Sequence, residues 1–145
     1  MTKLILSIHP VGQLAAILIC CYAAYQGLQR VRSLHFNKTA RFYRERHAIA
    51  GTVALVSMLG GIGAGFIMVS RYLLSPEMGL HVAVALLILP LGLFGIFSGF
   101  FLYLKPGQRK FLPVIHGINN LVILVLALLQ VVTGTLAYLR YVLRW

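Results

Sequence analysis

Apolar residues fall in four long runs free of Lys, Arg, Asp and Glu: Ile8–Leu28, His47–Ser70, Gly79–Leu104 and Phe111–Leu139. Each has at least the ~20 residues a helix needs to cross a hydrocarbon core. Backbone groups in lipid must find partners within their own segment, so runs of this length predict helices. Runs 2 and 3, and runs 3 and 4, are joined by short links, which makes neighbours antiparallel. The pattern predicts an all-α membrane protein, with one domain over residues 1–145 folded as a four-transmembrane-helix up-down-up-down bundle. The link Leu28–Arg46 is longer and basic, with Phe36, Phe42 and Tyr43 among its charges. It predicts helix ends plus a short interfacial helix. Pro10 and Pro113 lie near the starts of runs 1 and 4, where a missing N–H costs little. Pro76 falls in a tight link, and Pro90 predicts a kink inside run 3.

The polar exceptions within the runs are regular. Each run carries a histidine near its start and a glycine 18 residues later: His9/Gly27, His47/Gly65, His81/Gly99 and His116/Gly134. Eighteen residues make about five helical turns, so each pair shares a face with its members about 27 Å apart. Positions 11, 14 and 18 after each histidine are mostly small: Cys20, Ala23, Gly27; Met58, Gly61, Gly65; Gly92, Gly95, Gly99; Ala127, Gln130, Gly134.

Helix alternation sets which histidines share a depth. His9 and His81 begin runs 1 and 3 on one side of the membrane; His47 and His116 begin runs 2 and 4 on the other. Runs 1 and 3 are diagonal in such a bundle, as are 2 and 4. Two diagonal histidines can hold an iron as trans axial ligands, a bis-imidazole arrangement suited to electron transfer. At each histidine level the two other helices pass with glycines: Gly65 and Gly134 beside His9/His81, and Gly27 and Gly99 beside His47/His116. Glycine would leave room for a porphyrin edge. The expectation is two haem b groups, one per membrane face, with His9, His81, His47 and His116 as metal ligands. The plain alternative is interfacial histidines with Gly61-x-x-x-Gly65 and Gly95-x-x-x-Gly99 as tight helix-packing motifs.

Charge adds topology. The protein is 60% hydrophobic and 10% charged, which excludes a soluble domain. Its net charge of +11 would suit nucleic acid, but the cations sit in the links. Arg30, Arg32, Lys38, Arg41, Arg44 and Arg46 lie in the first link and Lys105, Arg109 and Lys110 in the third, against Lys3, Arg71, Arg140 and Arg144 on the other side. This bias puts the first and third links in the cytoplasm and both termini on the non-cytoplasmic side. Arg41, Arg44, Arg46, Lys105 and Arg109 could then meet haem propionates or acidic lipid. Residues Met1–Ala24 look like a signal peptide, but cleavage there would discard one member of the repeat, so a retained span is expected. Cys20 and Cys21 are adjacent and point apart on a helix, and no C-x-x-C-H motif offers thioether links to haem. His35, outside the runs, is read as solvated. Gln13 and Asn120 could bond a ligand or quinone, with helix-to-helix bonding preferred; Gln130 and Thr133 stay open between the same roles. Glu45 and Glu77 both lie in links, which leaves no intramembrane carboxylate for acid–base catalysis or proton pumping.

Four consecutive helices with one histidine each, at His9, His47, His81 and His116, paired 1 with 3 and 2 with 4, resemble the cytochrome b561 superfamily of di-haem transmembrane electron carriers. The resemblance covers most of the chain and rests on an arrangement, not on a peptide motif. It implies b-type haems and one-electron transfer across the bilayer. Animal and plant members carry an extra helix on each side of this core, so their ascorbate sites do not carry over. Many bacterial relatives have four helices but distribute the ligands differently. Haem subunits of the nitrate-reductase and ferric-reductase types place two ligands on one helix, whereas no run here has two histidines.

The expected function is that of a minimal bacterial membrane cytochrome, in the inner or an internal photosynthetic membrane. It would carry electrons between a quinone pool and a redox protein partner, or as a subunit of a larger membrane complex. A quinone-linked oxidoreductase role is open, with no catalytic residue of its own. The alternative is a cofactor-free structural or assembly subunit packing through its Gly-x-x-x-Gly faces; a transporter fragment is a third and weaker reading.

Overall fold

The computed structural model describes residues 2–36, 39–73, 79–105, 107 and 111–143, without the side chains of residues 2, 34 and 35. It contains four long helices, α1 (Thr2–His35), α2 (Arg44–Tyr72), α3 (Gly79–Leu104) and α4 (Phe111–Tyr138), and α4 ends in a π-helical turn, Leu139–Leu143. All four are long and apolar enough to cross a membrane. Large apolar side chains crowd the outer surface, among them Leu18, Ile67, Phe97 and Leu121. The interior mixes small and polar residues with a layer of branched apolar ones. Helices apolar on all sides, with small residues between them, belong in lipid, where packing rather than water exclusion drives association.

Consecutive helices pack on one another and α4 returns to α1 to close the ring, and the diagonals α1/α3 and α2/α4 make no backbone approach among the described residues. Packing is tightest within the hairpins α1–α2 and α3–α4 and loosest between α1 and α4. The reason lies at mid-membrane. The core comprises Ala16, Ile17 and Cys20 of α1, Ala54, Leu55 and Met58 of α2, Val84 and Ile88 of α3, and Ile123 and Ala127 of α4. Seven residues after the four histidines stand Ala16, Ala54, Ile88 and Ile123, all buried. Two alanines facing two isoleucines let one hairpin close tightly while the other fills the space, the small-against-large complementarity of a well-packed layer. An apolar plug therefore separates the two histidine levels.

The small residues beyond the plug are packing holes. A Cβ on Gly92 would stand 3.0 Å from Leu59, and one on Gly95 3.0 Å from Leu55 and 2.8 Å from Asn120. The space above Gly61 is filled by the Gln13 amide, which donates to the Ser57 carbonyl at 3.2 Å. At these positions the plain helix-packing alternative is the one realised.

Three local expectations are corrected. The first span is not confined to Ile8–Leu28: α1 takes in Leu28–His35, and the described part of the following link has no helix of its own. Two more turns of α1 replace the expected interfacial helix. Pro10 consequently lies inside α1, where it leaves the Leu6 carbonyl without its usual donor. Pro113 does fall in the first turn of α4, and α3 runs unbroken through Pro90. The side chain of His35, and the links containing Lys38, Pro76, Glu77, Arg109 and Lys110, lie outside the described residues.

Ala54 of α2 is fully buried in the mid-membrane core. Ala54→Phe should destabilise the bundle by about 1–3 kcal/mol, read as earlier thermal unfolding in detergent, whereas Leu18→Ala on the lipid-facing surface should leave unfolding nearly unchanged.

Candidate functional site

Two histidine pairs stand at opposite ends of the plug, each bridging a diagonal. The ring centroids of His9 and His81 are 6.4 Å apart with planes at 84°, and those of His47 and His116 are 6.3 Å apart at 77°. All four rings are half-buried. Within each pair the rings make no hydrogen bond to one another.

Each ring rests on the glycine expected at its level, and that glycine belongs to its own hairpin partner. A Cβ on Gly27 would lie 3.4 Å from His47 Cε1; on Gly65, 3.2 Å from His9; on Gly99, 3.1 Å from His116; on Gly134, 3.1 Å from His81. The predicted glycines are where the sequence put them, but the room they give is occupied by imidazole. Each of these glycines lets a histidine ring approach the neighbouring helix closely.

Nδ1 of three rings is anchored on that same helix. His47 Nδ1 donates to the Ala23 carbonyl at 2.9 Å. His81 Nδ1 lies 3.1 Å from the Thr133 hydroxyl, and His116 Nδ1 lies 2.8 Å from the Ser98 hydroxyl. His9 Nδ1 is buried without a hydrogen-bond partner. With Nδ1 so used, Nε2 is the nitrogen left over. For His47 and His81 it has no hydrogen-bond partner among the described residues and is not sealed from the molecular surface, whereas the His9 ring has the Gly61 backbone beside it.

Polar neighbours complete each level. Gln130 Nε2 donates to the His81 carbonyl at 2.9 Å, so this residue bonds helix to helix. Asn120 does not cross between helices as expected: it donates to its own His116 carbonyl at 2.7 Å and sits 3.3 Å from both nitrogens of that ring. The crossing bond comes from Asn119, whose amide reaches the Leu91 carbonyl at 3.0 Å. Asn119 and Ser98 were both missed in the sequence. A hydroxyl stands one residue before the anchor glycine in α3 and α4, Ser98-Gly99 and Thr133-Gly134, and that regularity would have found Ser98.

Arg41 precedes α2, and Arg44 and Arg46 stand in its first turn. The Arg44 guanidinium donates to the carbonyls of Tyr103 and Leu102 and lies 4.8 Å over the Tyr103 ring. The last turn of α3 holds no cation of its own, so α2 supplies the charge that its C-terminal dipole favours. Arg46 stacks 4.7 Å over Tyr43 beside a groove of Ile19, Tyr22, Ile49, Ala50 and Val53 on the outer face of α1–α2. Arg41 is exposed. Beside His47 lies Phe42, whose ring centroid is 5.7 Å from that of the imidazole.

Among the described residues no three His, Cys, Asp or Glu side chains gather as a metal site. The histidines come in twos, the number of protein ligands that bis-imidazole haem takes, since a porphyrin brings the other four nitrogens. Set against known protein families, curated proteins and solved structures, the chain matches none.

Gly99→Val should push His116 off the helix and cost about 1–3 kcal/mol of stability. Gly60→Val, where nothing lies within 4 Å of an added Cβ, should be tolerated. Paired melting curves of the two variants in detergent check this.

Proposed function

We propose that the protein is a di-haem b membrane cytochrome that carries single electrons from one face of the bilayer to the other. His9 and His81 would hold one haem, and His47 and His116 the other. The observation that carries this reading is the spacing of the diagonal rings. Across each diagonal, His9 with His81 and His47 with His116 are the residues that would each give one ring nitrogen to a haem iron. The two pairs stand at 6.4 and 6.3 Å.

Edge-to-face aromatic packing allows the same distance, so the nitrogens discriminate. Rings serving only as packing would be expected to satisfy both nitrogens or bury neither. Here the Nδ1 atoms of His47, His81 and His116 are engaged on the neighbouring helix, while Nε2 of His47 and His81 has no partner among the described residues. That is the division seen in metal-bound histidines, where the remote nitrogen is fixed by an outer partner. Haem bound in this way supplies reversible one-electron exchange between ferric and ferrous iron without opening a coordination position.

The protein's own residues do the rest. The four glycines fix ring orientation, and the apolar plug holds the two levels roughly 27 Å apart along the helix axes while excluding water. The cation bias supports a cytoplasmic His47/His116 level with both termini on the other side. In this reading the protein resembles the cytochrome b561 superfamily and sits in a bacterial membrane. A quinone pool and a redox protein, or a larger membrane complex, are its electron partners.

The second reading, a cofactor-free assembly subunit, draws on Gly61, Gly92 and Gly95, whose space is already taken by Gln13, Leu59, Leu55 and Asn120. Colour separates the two. In a dithionite-reduced minus oxidised spectrum, the purified protein should show b-type bands and two haems per chain. His9→Ala or His81→Ala should each lower this to one, and so should His47→Ala or His116→Ala. The double variant His9→Ala/His47→Ala should retain none. A colourless protein from haem-replete cells sinks the assignment in favour of the second reading.

A further inference from the structure

The hydroxyls beside His81 and His116 have only one consistent hydrogen-bond polarity. The His81 carbonyl can only accept, so the Gln130 amide nitrogen, 2.9 Å away, faces it. That turns Gln130 Oε1 toward Thr133 Oγ1 at 2.9 Å, and an amide oxygen also only accepts. The Thr133 hydroxyl therefore donates to Gln130, and its lone pair faces His81 Nδ1 at 3.1 Å. The other oxygens near Thr133 Oγ1, the carbonyls of Leu129 and Gln130 at 3.3 and 3.4 Å, are acceptors too. No rotation of the hydroxyl away from the ring changes the outcome: Nδ1 of His81 must carry the proton.

Ser98 repeats this logic at the other level. Its hydroxyl lies 2.6 Å from the Phe94 carbonyl and 3.3 Å from that of Gly95, both acceptors. Its proton goes to one of them, and the lone pair receives Nδ1–H of His116 at 2.8 Å. A neutral imidazole protonated on Nδ1 has a bare lone pair on Nε2. The hairpin α1–α2 has no such device, since Gln26 and Ala64 precede its anchor glycines. There His47 uses the Ala23 carbonyl and His9 Nδ1 has no partner. Each diagonal pair thus contains one ring held by a hydroxyl.

We propose that Ser98, and Thr133 acting with Gln130, are positioning residues that lock His116 and His81 as Nδ1–H tautomers, leaving Nε2 unprotonated: open to a metal at His81, and facing the Asn120 amide at 3.3 Å at His116. The lock belongs to the folded chain. Its effect on redox potential rests on the haem reading above: an Nδ1–H that donates to oxygen makes the imidazole more basic and favours ferric iron.

The test uses the full-length protein with isotopically labelled histidine, haem-depleted and haem-loaded. Imidazole nitrogen chemical shifts report the tautomer, and a reductive titration reports the potentials. In the haem-depleted protein, His81 and His116 should be Nδ1–H. Ser98→Ala should bring His116 partly to Nε2–H and leave His81 alone, and Thr133→Val should do the reverse. Ser98→Thr and Thr133→Ser, which keep the hydroxyl, should restore the original tautomers. In the loaded protein each hydroxyl loss should raise the midpoint potential of one haem and spare the other, with the same rescue. Tautomers that do not change in Ser98→Ala and Thr133→Val overturn the proposal, as does a change that the conservative variants fail to reverse. If the protein takes up no haem, the function proposed above fails, and the tautomer measurement still decides this one. Should Ser98→Ala not fold, Thr133→Val carries the test at the other level.

Discussion

Everything in this bundle hangs on a histidine ring laid against a glycine of the antiparallel neighbour. The contact occurs four times and is reciprocal within each hairpin: His9 on Gly65 and His47 on Gly27, His81 on Gly134 and His116 on Gly99. A polar ring in a lipid environment has to meet its hydrogen-bonding needs from protein, and the nearest donors and acceptors are those of the adjacent helix. A side chain at the glycine would hold the ring away from them. With glycine there, Nδ1 of three rings reaches a carbonyl or hydroxyl on that helix, and the two helices of a hairpin are pinned in register at both ends.

The core answers to that register. Five helical turns lie between a histidine and its glycine, and the middle of this interval is where Ala16, Ala54, Ile88 and Ile123 meet. Small residues on α1 and α2 allow the tighter hairpin; isoleucines on α3 and α4 fill the remaining volume. Ring closure then brings α1 opposite α3 and α2 opposite α4, and the imidazoles span these diagonals at the two levels. The proposed haem sites are thus a product of hairpin pinning and diagonal closure acting together. Gln13, Asn119, Gln130, Ser98 and Thr133 bond to helix carbonyls or to the histidines, and the buried Gln26 donates to the Tyr22 hydroxyl and accepts from the Tyr43 amide. The ends are stitched separately, by Arg44 on the carbonyls of α3 and by Ser7 against the Tyr138 hydroxyl at 2.7 Å.

The four helices, their antiparallel order and the pairing of levels were legible in the chain, because length, apolarity and helical periodicity are one-dimensional properties that the bilayer translates directly into depth. The His-to-Gly interval of 18 residues is such a property, and it placed each ring beside its glycine. Interval and depth could not say which object fills the space above a glycine. Gly61, Gly92 and Gly95 share a face with the anchor glycines, yet they receive Gln13, Leu59, Leu55 and Asn120. Nor could they say that Asn119, not Asn120, crosses to α3, since neighbours on a helix differ by about 100° and a small rotation exchanges their roles.

What the sequence determined by itself is everything the membrane enforces on a single helix: where it begins to be apolar, how long it is, which residues share its face and at what depth. Tertiary structure decided what lies across from each face. It gave Arg44 to the end of α3 and Arg46 to an outer groove, continued α1 through Leu28–His35, and turned the hydroxyls of Ser98 and Thr133 toward histidine nitrogens. Those outcomes depend on helix rotation and on how closely neighbours approach, quantities set by the shapes of all four helices together and written in no one of them.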